Sequence, residues 1–95
     1  MFPAVKFTLD IGHCIQNGDD YLSFIELNKD RIVNIHLHNA LKDGKAHYGF
    51  HKNGQLNLKK LISTLKRIQY SGFMSLEILQ TEDIKKSWAV LLNSL

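Results

Sequence analysis

The chain has 95 residues, room for one small domain over 1–95 and not for two. Its 44% hydrophobic and 22% charged content is ordinary globular usage, which excludes a disordered chain, and no apolar run is long enough to cross a membrane. The net charge of +3 is only mildly basic. Its clearest cluster, Lys59, Lys60, Lys66 and Arg67, is accounted for by a solvated helix face, so a nucleic-acid partner is not expected.

The opening, MFPAVKF, lacks a charged segment ahead of an apolar stretch, so no signal peptide is expected. VKFTLDI (5–11) alternates and predicts a strand, with Asp10, Gly12 and His13 at its exit. Cys14 is the single cysteine and cannot form an internal disulfide, which suits a reducing cytoplasm. DDYLSFIELN (19–28) predicts a helix that Asp19 can cap. RIVNIHL (31–37) predicts the second strand, and a long loop follows. In NLKKLISTLKRIQ (57–69), Leu58, Leu61, Ile62, Leu65 and Ile68 recur at helical spacing. Gly72 breaks the chain before a third strand, GFMSLEIL (72–79). The last segment, TEDIKKSWAVLLNSL (81–95), predicts a helix with Thr81 as cap and Glu82 and Asp83 in its first turn. Phe73 and Trp88 are assigned to the core by residue type. The order β-α-β-α-β-α predicts an α/β fold with parallel strands and right-handed crossovers.

Side chains alternate with period two along a strand. One face therefore carries Val5, Phe7 and Leu9, then Val33, Ile35 and Leu37, then Met74, Leu76 and Ile78. The other carries Lys6, Thr8 and Asp10, then Asn34, His36 and His38, then Ser75 and Glu77. Gathering Asp, His and Glu on one face is costly unless something satisfies them, and a divalent cation would. One imidazole and two carboxylates suit Mn²⁺, Mg²⁺, Co²⁺ or Zn²⁺ and argue against a cysteine-rich structural zinc site. For each residue a plainer reading stands beside that one. Asp10 before Gly12 can form a turn, His36 can be a hydrogen-bonded core histidine, and His13 can be a structural cap. Glu77, between Leu76 and Ile78 in mid-strand, has the weakest plain reading. His38 and His51 are placed in solvent or loop.

Several stretches, taken in order, resemble the C-terminal part of the xylose isomerase-like TIM-barrel superfamily. This group includes sugar-phosphate isomerases and epimerases and endonuclease IV-type nucleases. FTLDIGH resembles the sixth strand with its Asp-x-x-His, and RIVNIHLHNA the seventh with its His. GQLNLKKLISTLKRIQYSGFMSLEIL resembles the passage to the eighth strand and its terminal Glu, and TEDIKKSWAVLLNSL the last helix. The resemblance implies the last three β/α units of a (β/α)₈ barrel, an incomplete barrel, because a whole one takes about 250 residues. It implies Asp10, His36 and Glu77 as metal ligands and Glu77 also as a catalytic acid/base. It implies His13 as a contact to substrate, or to a second metal in a nuclease, and loosely matches His47 to a seventh-loop histidine. Asn39 stands where the family usually has Asp, and the loop lacks the usual Gly-Glu-Gly.

Three functions follow as expectations. The first is a metal-dependent isomerase or epimerase acting on a small sugar or sugar phosphate, with little activity alone because a fifth-strand Glu is missing. The second is an endonuclease IV-like phosphodiesterase. The third is a non-catalytic remnant or interaction module. Uncovered sheet edges predict self-association or a complementing N-terminal barrel chain as partner.

Overall fold

A computed structural model describes residues 4–50 and 54–95. The elements are β1 (Phe7–Asp10), α1 (Ile11–Asn17), α2 (Tyr21–Leu27), β2 (Ile32–Leu37), α3 (Leu58–Arg67), β3 (Phe73–Leu76) and α4 (Thr81–Ser94). All three strands run parallel, in the order β1-β2-β3. Asp10 pairs with His36, and His36 with Ser75, so the polar positions fall in one row across the sheet. The Glu77 amide continues the ladder to the Leu37 carbonyl at 3.1 Å.

Periodicity did not anticipate α1, whose seven residues, IGHCIQN, are too few to show an apolar repeat. Its ends carry the code instead. The Asp10 side chain accepts from the His13 amide, and Gly18, at φ 74°, closes the helix in the left-handed region that glycine tolerates. Two caps differ from expectation. Asp20, one residue past Asp19, caps α2 by accepting from Ser23. Thr81 is the first residue of α4 rather than its cap, and Gln80 before it makes no side-chain capping bond, while Glu82 and Asp83 do fall in the first turn.

The core forms where the apolar face of the sheet meets the helices: Leu9, Ile35 and Leu37 against Ile11, Ile15, Ile25, Leu61 and Leu65. Val5 and Val33, at the beginnings of their strand segments, are exposed. Phe73 and Trp88 are not core residues, being 78% and 51% exposed. Strand phase places Phe73 with Ser75 and Glu77, away from the helices, on an outer strand. On α4 the buried positions are Ser87 and Leu91, and the Ser87 hydroxyl accepts from the Phe50 amide. Ile84, Trp88, Leu92 and Leu95 lie exposed along that helix. Among the described residues no helix is long and apolar enough to cross a membrane.

Candidate metal centre

Parallel strands end on the same side of a sheet, and the polar row lies at that end. Asp10 closes β1, His36 is next to last in β2, and Glu77 follows β3 directly. His36 Nδ1 is 3.0 Å from Glu77 Oε1 and 3.9 Å from Asp10 Oδ2. One ligand atom from each of the three residues falls within 4.8 Å of the others. All three side chains are partly exposed, between 21% and 35%, so a solute can reach them. This is the set read from strand phase, and the structure brings it together. One nitrogen and carboxylate oxygens are donors that divalent cations of the Mn²⁺, Mg²⁺ and Zn²⁺ kind accept.

Asp10 has two distinct oxygens. Oδ1 accepts from the His13 amide at 2.9 Å and lies 2.7 Å from His38 Nε2. Oδ2 faces His13 Nδ1 at 3.1 Å and His36. Burial pushes the Asp10 carboxyl up, but the His13 amide, the charge and hydrogen bond of His38, and the charge of His13 outweigh it. The net displacement is downward, holding the group as a carboxylate.

His38 corrects the sequence reading. It follows β2 directly, at the start of the loop, and is fully buried rather than open to solvent. Its Nδ1 accepts from the His47 amide at 2.9 Å, so the ring hydrogen sits on Nε2 and is donated to Asp10 Oδ1. Burial pushes the His38 ring down; Asp10 opposes this, His47 and His13 reinforce it, and the net direction is down, toward the neutral ring. The signal was in the strand phase, which already set His38 beside His36. What residue type alone concealed was the room made for it. A Cβ on Gly12 would lie 1.8 Å from His38 Cε1.

His47 is drawn into the same place. Its backbone is left-handed at φ 61°, its ring stacks on His38 at 4.1 Å, and its Nδ1 donates to the Glu77 carbonyl at 2.8 Å. His13 meets both rings edge-on, at 5.3 and 5.5 Å. His13, His38 and His47 thus form a second group within 4.8 Å. The loop behind them hangs on Asn39, which is buried. Its Oδ1 accepts from the amides of Ala40 and Leu56, and its backbone exchanges two hydrogen bonds with Tyr48. His51 lies outside the described residues.

A family model described as a xylose isomerase-like TIM barrel matches residues 2–94. The chain belongs to the xylose isomerase-like TIM-barrel family. No curated protein matches it. In barrels of this architecture the chemistry sits at the C-terminal ends of the strands, the end at which Asp10, His36 and Glu77 meet.

Proposed function

We propose that residues 1–95 form one partial domain, the last three β/α units of a xylose isomerase-like barrel. In this reading Asp10, His36 and Glu77 hold a divalent cation, and the domain serves an isomerase or epimerase of small sugars or sugar phosphates in the cytoplasm. The observation that carries the reading is the meeting of the three donors at the C-terminal ends of neighbouring parallel strands. A bound cation supplies Lewis acidity to the carbonyl and hydroxyl oxygens of a sugar. Glu77 then takes the proton from the carbon beside the carbonyl and returns it. His13, whose side chain is 53% exposed at the rim, contacts a substrate hydroxyl or phosphate. The acid/base for the opposite face of the sugar comes from a complementing barrel chain, so the chain alone binds metal weakly and turns over little.

Isothermal titration with Zn²⁺ tests this. Glu77→Gln exchanges a carboxylate for a weak amide ligand and is expected to weaken binding at least about tenfold. A double replacement, His36→Ala with Glu77→Gln, is expected to abolish it. Unchanged affinity in the double variant overturns the assignment.

A second reading, a nuclease-type phosphodiesterase, is favoured by one observation: the rings of His13 and His47 converge beside the first group. That chemistry uses more than one ion. The titration separates the two readings by stoichiometry, one Zn²⁺ per chain for the isomerase and two or more for the phosphodiesterase.

A further inference from the structure

His38 lies close enough to His13 and His47 to look like a third imidazole ligand. Its hydrogen bonds point to a different role. Both ring nitrogens are engaged, Nε2 with Asp10 Oδ1 at 2.7 Å and Nδ1 with the His47 amide at 2.9 Å. Ligating an ion through either nitrogen would release one of those partners. The ring is also confined. It is fully buried, stacked on His47 with 9° between the planes, and set into a notch left by Gly12, where an added Cβ would come within 2.0 Å of Nδ1.

We infer that His38 is a positioning residue that fixes which oxygen of Asp10 faces the ion and ties the backbone of His47 to the same carboxylate. The inference rests on the proposed role of Asp10 as a ligand. Asp10 Oδ1 holds two hydrogen bonds, from the His13 amide and from His38, and this leaves Oδ2 facing His36. Without the His38 donor the carboxylate is held by His13 alone, through its amide on Oδ1 and its Nδ1 at 3.1 Å from Oδ2. Outer hydrogen bonds of this kind raise a ligand's affinity for metal about 10–100-fold. Through its other nitrogen, the same ring holds His47 at a left-handed φ.

Two substitutions separate the arms. In His38→Gln the side-chain amide reaches the Nε2 position and can donate to Asp10, while the acceptor for His47 is lost. In His38→Asn the side-chain oxygen takes the Nδ1 position and can accept from His47, while the donor to Asp10 is lost. The 95-residue chain is titrated with Zn²⁺ and its His47 amide is followed by hydrogen exchange. Expected for His38→Gln is Zn²⁺ affinity within about threefold of wild type with faster exchange at His47. Expected for His38→Asn is affinity about 10–100-fold weaker with His47 still protected. If both variants bind Zn²⁺ like wild type while Asp10→Asn loses it, the inference fails and the metal reading stands. If wild type binds no Zn²⁺, or Asp10→Asn binds unchanged, the metal reading fails and takes the inference with it. Should either variant not fold, the wild-type chain still decides. Long-range nitrogen–proton spectra are expected to show His38 protonated on Nε2 with and without Zn²⁺, and a Zn²⁺-bound nitrogen of His38 overturns the inference.

Discussion

The C-terminal end of the sheet and the outer flank made by β3 and α4 are built by opposite rules. At the strand ends, polar side chains are interlocked. His38 is sealed between Asp10 and His47, Asn39 holds two amides, and no buried side-chain nitrogen or oxygen among the described residues lacks a partner. On the flank, large apolar side chains face outward, with Phe73 at 78%, Trp88 at 51% and Leu92 at 50% exposure. Hydrogen bonds demand particular partners, whereas apolar surface accepts any cover. The first region satisfies its buried polar groups among its own residues, and the second leaves large apolar side chains open to solvent.

The largest contrast should come from truncating each side. Ile35 is fully buried behind the strand ends, and Ile35→Ala is expected to cost about 2–5 kcal/mol in urea unfolding. Trp88→Ala on the flank is expected to cost less than about 1 kcal/mol. Equal costs would show that the flank is already covered. Within the interlocked region, Asn39→Ala strands two backbone amides and should cost about 1–3 kcal/mol, whereas Asn39→Asp keeps the accepting oxygen and should cost less. Equal losses in Ala and Asp would mean that Oδ1 is not what holds the loop.

The flank is sharpened by association. The wild-type chain is expected to self-associate at micromolar concentration in sedimentation, and Trp88→Lys with Leu92→Lys to shift it toward monomer. A well-folded wild-type monomer would remove the contrast. The smallest effect concerns Cys14. Burial, then the charges of Asp19 and Asp10, raise its thiol above the ordinary 9.0. A group whose folded value is raised contributes stability below its unfolded value and loses it as pH rises through the folded one. Stability should therefore decline above about pH 9, less steeply in Cys14→Ala. Alkylation of Cys14 at neutral pH should be slower than that of a free thiol.

The parallel sheet was legible because each strand alternates in phase, and the same alternation set Asp10, His36, His38 and Glu77 on one side. Helix α1 was not legible because its signals are terminal: Asp10 reads equally well as a turn residue, a ligand or a cap. The burial of His38 depends on Gly12, a residue distant in sequence whose contribution is an absence of side chain. Phe73 and Trp88 misled because residue type states a preference for cover, and the supply of cover is decided by neighbours. The family membership came from the match over residues 2–94.

β1 passes into α1 with no residue between them: Asp10 ends the strand and Ile11 begins the helix. Asp10 is thus the fulcrum of a rod about 10 Å long, seven residues at roughly 1.5 Å each. The rod is pinned at both ends, by the His13 amide on Asp10 Oδ1 at its base and by Gln16 Nε2 on the Gly44 carbonyl near its tip, so the donor keeps its aim.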